Sequence, residues 1–403
     1  MLNKTSLLLM LLQNGMNLNS LACSMMTTWY IDKSGNLYGC GMGSNGQQGN
    51  GSTSSVKKFT QRGTNVKQVI CNDYITWYLT KDGDLYGCGS ASYGQQGSNG
   101  TSNVTRFTKR ASNVKQFASS ITTTWYVTKD GDLYGTGENS YYQQGDGSTT
   151  NVKVFTKRAS NVKQVACSDE TTWYVTNNGD LYGCGRSDYG QQGSNDNLDI
   201  ETFTKRASNV KEVICGYKST WYIDNDGKLY GCGQNDFGQQ SNGSTDHVYK
   251  FTLKASNVAQ FQNFGETSWY LTKDGKLYSC GYSTEGNQGV DSYDNVLRFT
   301  QRATNVAKFY ISTYVVMYVT KNGELYMTGR GSTGQQSNDS TSEVTEFTKR
   351  ADNVKHVCCS EMTSWYVTKS GELHGSGYGY YGQQGNNSTS NVMVFTKRAD
   401  NVA

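Results

Sequence analysis

At 403 residues the chain is long enough for two or three ordinary domains or for one large architecture. It has no proline, 46 Gly and 29 Tyr, and only 35% of its residues are hydrophobic, so aromatic and β-branched side chains must supply the buried area. This composition favours strands and tight turns over helices. A net charge of +4 is smaller than nucleic-acid-binding proteins usually carry, and we expect no specific nucleic-acid partner.

The first 16 residues form a predicted N-terminal segment of their own. Lys4 precedes a short apolar run that ends at Leu12, and no small-residue cleavage site follows closely, so the sequence gives no convincing cleaved signal. No stretch is long enough to span a membrane. Residues 6–17 align with the fourth strand that precedes the next unit, so they resemble a degenerate fourth strand. This strand either closes the ring or docks on another surface. The predicted attachment or oligomerisation residues are Leu7, Leu8, Leu9, Leu11 and Leu12.

Residues 17–403 contain one motif that repeats at a fixed step of 48 residues. Met317 fills the one gap in a series of tryptophans at 29, 77, 125, 173, 221, 269 and 365. Eight units run from Asn17 to Asp400 without an insertion or deletion, and a ninth begins at Asn401 and stops. Such strict periodicity indicates a single repeat domain.

Each unit predicts four short strands. In the second unit these strands are "NVKQV" from Asn65, "TWYLT" from Thr76, "DLYGCG" from Asp84 and "VTRFTKR" from Val104. The turn between the second and third strands is Asp-Gly, Asn-Gly or Ser-Gly in all eight units, which suits a two-residue antiparallel hairpin. The pattern predicts an all-β fold, a β-propeller of about eight four-stranded blades in a closed ring, with the repeated Trp and Tyr in the core between blades.

The stretch "NVKQVACSDETTWYVTNNGDLYGCGRSDYGQQGSN" from Asn161 resembles a repeat of the regulator-of-chromosome-condensation family. The shared pattern is a valine-rich strand, a small residue or Cys, an apolar strand, an Asp-Gly-type turn, an aromatic-Gly strand end and a Gly-Gln-x-Gly stretch. The resemblance implies a propeller, usually of seven blades in that family. The family's proline near "FTKR" is absent, and the strict register leaves no room for the blade insertion of its nucleotide exchange factors. The resemblance therefore implies the fold and not exchange activity.

Two kinds of loop should share one face of the ring, which we name the loop face. They are the short loops between first and second strands and the long loops between third and fourth strands. Their sequences vary between units. The opposite face, which carries the Asp-Gly-type turns and which we name the turn face, is nearly uniform. Loops on a rigid scaffold often carry binding function, although unconstrained drift would also produce variation. The predicted partner-binding residues are Met42, Tyr74, Glu138, Arg186, Tyr217, Tyr282, Arg330, Tyr378, Tyr380 and Tyr381.

Cysteines recur together in two positions of the repeat, as Cys71 and Cys88 do. This recurrence indicates buried apolar filler, while disulfides within a blade would require an oxidising compartment. No Cys-x-x-Cys pair indicates a metal, and the three His lie at different repeat positions, so no nucleophile–His–carboxylate set can be named. We expect no enzymatic activity, no cofactor and no metal.

The sequence thus predicts a non-enzymatic binding propeller that presents a variable loop face to a macromolecular partner. One hypothesis is a protein or glycan receptor at a cell surface, as for a viral fibre or bacterial adhesin that is made in a reducing cytoplasm. The alternative is an intracellular scaffold or an exchange-factor-type regulator of a small GTPase. No targeting signal selects between these localisations.

Overall fold

The structure is a computed structural model that describes residues 20–403. These residues form eight four-stranded antiparallel sheets and contain no helix, which confirms the all-β propeller. Each sheet uses four consecutive strands of one repeat in the order first, second, third, fourth, and we number these blades 1 to 8 along the chain. The N-terminal segment and its attachment residues Leu7 to Leu12 lie outside the described residues, so the proposed domain division stays a prediction.

The strands occupy the same positions in every blade. The innermost, first strands are Leu21–Cys23, Val66–Cys71, Val114–Ser119, Val162–Cys167, Val210–Cys215, Val258–Phe264, Val306–Ile311 and Val354–Cys359. The second strands are Thr27–Ile31, Ile75–Thr80, Thr123–Thr128, Thr171–Thr176, Ser219–Asp224, Thr267–Thr272, Val315–Thr320 and Thr363–Thr368. The third strands are Leu37–Gly41, Leu85–Gly89, Leu133–Gly137, Leu181–Gly185, Leu229–Gly233, Leu277–Gly281, Leu325–Gly329 and Leu373–Gly377. The outer, fourth strands are Val56–Gly63, Val104–Ala111, Val152–Ala159, Ile200–Ala207, Val248–Ala255, Val296–Ala303, Val344–Ala351 and Val392–Ala399.

The repeated tryptophan packs over a glycine of the neighbouring strand. Trp29 is fully buried and lies opposite Gly39 on the third strand. A Cβ atom at Gly39 would stand 2.2 Å from the indole, so a larger residue there is incompatible with this ring. In blade 7 both partners change together, since Met317 lies opposite Met327. Six blades have this Trp–Gly pair, whereas in blade 6 Trp269 remains fully buried opposite Ser279.

The ring closes through a first strand that both ends of the described chain share. In blade 1 this strand contains only Leu21–Cys23, and residues 401–403 take the place of its beginning. Lys33 N donates to Asn401 O at 2.9 Å, and Ala403 N donates to Ile31 O at 3.0 Å. Val402 is fully buried in the core cluster between blades 8 and 1. The incomplete ninth unit is thus an element of blade 1.

Replacing Val402 by Ala should weaken this closure. Val402 is 0% exposed, so removal of its methyl groups should lower the free energy of unfolding by about 2 kcal/mol. The matched control is Val394→Ala, because Val394 is 48% exposed on an outer strand and its truncation should change stability little. Urea unfolding of both variants measures the difference. Equal losses of stability would contradict the closure role of residue 402.

Glutamine side chains near the axis join the innermost strands of successive blades. Gln116 Nε2 donates to Val165 O at 2.9 Å, and Val165 N donates to Gln116 Oε1 at 3.1 Å. Gln164 makes the same pair of bonds to Val213, both at 3.1 Å. The next blade has Glu212 at this position, and its Oε1 has no hydrogen-bond partner among residues 20–403. Burial raises the pKa of Glu212 to about 7, because an ionised carboxylate is poorly solvated there and cannot donate as the amide does.

Glu212→Gln should therefore remove a pH-dependent loss of stability. The fold raises the pKa of Glu212 from 4.5 to about 7, so wild-type stability should fall as the pH rises through this interval and level off above it. Above pH 7 the variant should be more stable by up to about 3 kcal/mol, and near pH 4 the two proteins should be similar. The reverse change Gln164→Glu is the control and should introduce the same pH dependence. Urea unfolding at several pH values tests this, and a difference that does not vary with pH would refute it.

Candidate functional site

The short loops surround the axis at one face of the ring. A cavity there is lined by Ser24, Met25, Asp73, Phe264, Ser312, Ser360 and Glu361, which come from five blades. All strand pairs within the blades are antiparallel, so the long loops open on this same side. The loop face predicted from the sequence is therefore a real surface of the ring.

The repeated Gln-Gln pair holds the long loops in place. Gln143 Oε1 accepts a hydrogen bond from Tyr141 N at 2.8 Å, and its Nε2 donates to Asp169 O in the short loop of the next blade at 2.9 Å. The following glutamine binds the end of its own third strand, as Gln96 Nε2 does with Cys88 O at 2.9 Å. Because these glutamines are buried and engage backbone atoms, they are scaffold residues. The variable side chains beside them are the ones available to a partner.

Arg186, a predicted binding residue, lies in an ion-pair cluster on this face. Its guanidinium contacts Glu170 and Asp188, each at 2.6 Å, and stands 4.6 Å from the ring centroid of Tyr141. Burial raises the pKa of Glu170, and Arg186 opposes this shift by favouring the ionised carboxylate. The cluster is held by both charge and stacking, and its two carboxylates neutralise the Arg186 guanidinium.

Two further clusters contain predicted residues. Lys218 Nζ lies 4.1 Å from the ring centroid of Tyr189 and 5.2 Å from that of Tyr217. Arg330 lies 5.2 Å from the ring centroid of Tyr314 and contacts Glu285 at 3.3 Å.

Tyr282 packs edge-to-face on Phe237 at 4.9 Å. Glu138 is half-buried at the start of its long loop, where its carboxylate accepts a hydrogen bond from Ser140. The predicted residues therefore form several local clusters around the face and do not converge on one centre.

Three predicted tyrosines form an aromatic group at the top of blade 8. Tyr380 is 62% exposed and packs edge-to-face on Tyr381 at 5.0 Å, with Tyr378 6.2 Å from Tyr380. Met42 on blade 1 and Tyr74 on blade 2 are half-buried on the same side of the face. An exposed aromatic group of this kind offers contact area at low cost in conformational entropy.

Charge is segregated among the long loops of the loop face, whereas the short loops of blades 2 and 8 contribute Asp73 and Glu361 to the central cavity. The three long loops of blades 8, 1 and 2, residues 378–391, 42–55 and 90–103, contain no charged residue. The five long loops of blades 3 to 7 contain twelve Asp and Glu against two Arg. We name the first region, whose long loops hold Met42, Tyr93, Tyr378, Tyr380 and Tyr381, the Tyr/Met sector, and the second the acidic sector. Sequence reasoning missed this division because it compared loops by position and did not sum charge loop by loop.

The Tyr/Met sector also contains residues that were not predicted. Tyr93 in the long loop of blade 2 is 38% exposed. Met25 and Met26 of blade 1 and Met362 of blade 8 are half-buried in the short loops. The signal was present in the sequence as three methionines in equivalent short loops of adjoining blades.

The buried cysteines and His374 have structural environments. All eleven cysteines are buried free thiols, and residues 20–403 hold no cluster of three or more His, Cys, Asp or Glu that could bind a metal. His374 stacks on Tyr366 at 4.7 Å with the rings 3° from parallel, in the place of a repeated tyrosine. None of these groups adds chemistry to the loop face.

The family comparison matches two of the repeats. Residues 162–191 and 210–239 match the family model described as "Regulator of chromosome condensation (RCC1) repeat". These two matches cover 60 of the 403 residues, and the chain is a β-propeller whose repeats resemble those of that family. No curated protein matches the sequence. The part of the chain that the structure describes offers no helix capable of crossing a membrane.

Three solved structures show the same fold. Human WBSCR16 has a TM-score of 0.62 at 18% identity over 78% of this chain and 94% of its own. Prp20p from Saccharomyces cerevisiae, described with its binding to Gsp1p and histones, has a TM-score of 0.64 at 18% identity over 85% of this chain and 90% of its own. Yeast RCC1 (Prp20) bound to Kap60 has a TM-score of 0.60 at 17% identity over 95% of this chain and 85% of its own. At 17–18% identity these structures share the β-propeller fold with this chain.

Proposed function

We propose that this RCC1-like propeller is a non-enzymatic protein-binding scaffold whose loop face holds a protein with a basic surface beside an apolar one. The observation that carries this proposal is the segregation of charge on that face. The long loops of blades 8, 1 and 2 are uncharged and hold Met42, Tyr93, Tyr378, Tyr380 and Tyr381, while twelve acidic residues lie in the long loops of blades 3 to 7.

The two sectors match the two parts of a protein interface. Interface cores are enriched in Tyr and Met and depleted in charged residues, and Met adapts its shape to a partner. Tyr380 would supply the largest aromatic contact of the Tyr/Met sector, since its side chain is 62% exposed. The acidic sector would attract a basic partner and orient it before contact, since complementary charge raises association rates. Arg186 and Arg330 would restrict which basic surfaces fit.

The comparisons favour a scaffold or regulator over a surface receptor. Prp20p is described as binding Gsp1p and histones, and histones are basic proteins. Nothing in the comparisons supports a viral fibre, an adhesin or a glycan ligand. All eight long loops contain 14 residues, so no blade carries the insertion associated with nucleotide exchange. We therefore place the chain among scaffolds rather than exchange factors.

Neutralising the acidic sector should weaken binding to a basic protein. The variant carries Asp246→Asn, Asp291→Asn, Asp294→Asn and Asp339→Asn, all at exposed positions of long loops. We expect at least a tenfold loss of affinity for purified core histones at low salt, measured by biolayer interferometry, because four attractive charges are removed.

The matched control changes the same number of charges on the turn face. It carries Asp82→Asn, Asp130→Asn, Asp226→Asn and Asp274→Asn, which are also exposed. This control should bind as the wild type does. Equal weakening by both variants, or no wild-type binding at any salt concentration, would contradict a loop-face site for basic proteins.

Tyr380→Ala should weaken the same complex through lost contact area. We expect about a 5- to 30-fold lower affinity with an unchanged dependence on salt, because the residue adds area and no charge. Leu253→Ala is the control, since Leu253 is 54% exposed but lies on the outer strand of blade 5 and outside the loop face. If both variants bind as tightly as the wild type, the Tyr/Met sector is not part of the interface.

A second probe separates scaffold from exchange factor. Prp20p is described as binding Gsp1p, so purified Gsp1p loaded with a fluorescent guanine nucleotide is the appropriate GTPase. We expect this chain to leave the rate of nucleotide release unchanged, because its loops are of uniform length. Accelerated release would replace the scaffold proposal with an exchange function.

A further inference from the structure

Cysteine positions follow the repeat with one exception. The first recurrent position holds Cys23, Cys71, Cys167, Cys215 and Cys359, and the second holds Cys40, Cys88, Cys184, Cys232 and Cys280. Cys358 alone occupies a third position. The other seven units have Ala, Ile, Gln or Tyr there, at Ala22, Ile70, Ala118, Ala166, Ile214, Gln262 and Tyr310. A thiol at this position is therefore a property of blade 8 and not of the repeat.

The exceptional cysteine faces the place where the ring closes. Cys358 lies on the first strand of blade 8, and its Sγ is 2.7 Å from Sγ of Cys23 on the first strand of blade 1. Both thiols are at most 1% exposed, and both are free. A disulfide bond is about 2.05 Å long, so a small displacement would bring the two sulfurs to bonding distance. The two residues are 335 positions apart in sequence.

The junction between blades 8 and 1 differs from the other seven. Elsewhere the chain runs from an outer strand into a complete first strand of the next blade. Here the first strand is divided, and residues 401–403 reach blade 1 through a few backbone hydrogen bonds. Ser20 Oγ adds a bond to Ala403 O at 2.8 Å. A crosslink at this junction would restrain the two blades that, among residues 20–403, only the short segment 401–403 connects by backbone.

We propose that Cys23 and Cys358 are an oxidation site whose disulfide closes the propeller covalently. The oxidant is a low-molecular-weight disulfide. One protein thiolate attacks it, forms a mixed disulfide and releases one small thiolate; the second protein thiolate then attacks the mixed disulfide and releases the other. The protein loses two electrons and two protons and gains one S–S bond, while the oxidant becomes two small thiols. This inference does not depend on the proposed function.

Burial determines when the reaction can occur. Burial raises the pKa of the Cys23 thiol well above its usual range, and only the thiolate is nucleophilic. In the closed ring the pair is therefore protected from both oxidant and reductant. Opening of the junction, during folding or in a low concentration of urea, would expose the pair. Once the bond has formed, closure would shield it.

Neighbouring cysteines are not equivalent candidates. Cys359 is adjacent to Cys358, but successive side chains of a strand point to opposite faces. Its Sγ donates to Val315 O in blade 7 at 3.6 Å, so it belongs to the preceding junction. Cys167 has the same repeat position as Cys23, but the residue that faces it from the preceding blade is Ala118. Cys167 is thus a matched control without a partner thiol.

The experiment treats the full chain with oxidised glutathione, with and without a urea concentration below the unfolding transition. Free thiols are then alkylated and counted by intact mass, and crosslinked peptides are mapped. We expect the number of free thiols to fall from eleven to nine, with one linked pair that joins residues 23 and 358. Urea should accelerate the reaction by at least tenfold. The oxidised protein should unfold at a higher urea concentration than the reduced protein.

The variants use residues that the chain itself has at equivalent positions. Cys23→Ser copies Ser119, and Cys358→Ala copies Ala118, so both should fold. Each should abolish the crosslink and the gain in stability, whereas Cys167→Ser should keep both. A linked pair other than 23 and 358, retention of all eleven thiols after exposure in urea, or a crosslink without added stability would overturn the proposal.

Discussion

The contact of an indole with a bare glycine backbone recurs in six of the eight blades and fixes how the second and third strands pack there. Trp29 can lie flat against the third strand only because Gly39 has no side chain, and its ring then meets Phe107 of the next blade edge-to-face at 5.8 Å. One side chain thus joins two strands of its own blade to the outer strand of another. A shift of one residue in any of these strands would move the indole away from its glycine and disturb two blades. This constraint accounts for the uniform register of the hairpin between the second and third strands.

Uniform junctions between blades leave the loops as the place where units can differ. The first glutamine of each Gln-Gln pair holds a long loop through hydrogen bonds to backbone atoms, as Gln143 does with Tyr141 and Asp169. The other side chains of the loop are therefore not needed to fix its conformation. Equivalent long loops can therefore carry different side chains, such as the exposed aromatic Tyr380 in blade 8 and the ion-paired Arg186 in blade 4. Because the rigid ring fixes the loops relative to one another, an uncharged sector and an acidic sector can be presented to one partner together.

The sequence repeat predicts the features that lie within one blade. It does not predict the contacts that depend on which blades are neighbours in the ring. Strand positions, the hairpin turns and the buried Trp125 follow from local pattern, because each blade folds on information within 48 residues. The role of Val402 does not, since its partners lie at the other end of the chain. The pairing of Cys23 with Cys358 likewise requires knowing which blades adjoin. The Tyr/Met sector is continuous only because ring closure places blade 8 beside blade 1. Comparing a single position between units, such as that of Glu138 or Tyr282, does not reveal this neighbourhood.

The closure junction and the Tyr/Met sector lie at the same place on the ring. Blades 8 and 1 contribute Tyr380 and Met42 to that sector, and Gln383 Nε2 donates to Met25 O across the junction at 2.9 Å. A partner seated on both blades would bind the closed ring and not the opened one, so its binding free energy would add to the stability of closure. The converse also holds, because a covalent bond between Cys23 and Cys358 would fix the two halves of the sector before the partner arrives. For a partner that contacts both blades, binding at the loop face and closure of the ring would thus be thermodynamically linked.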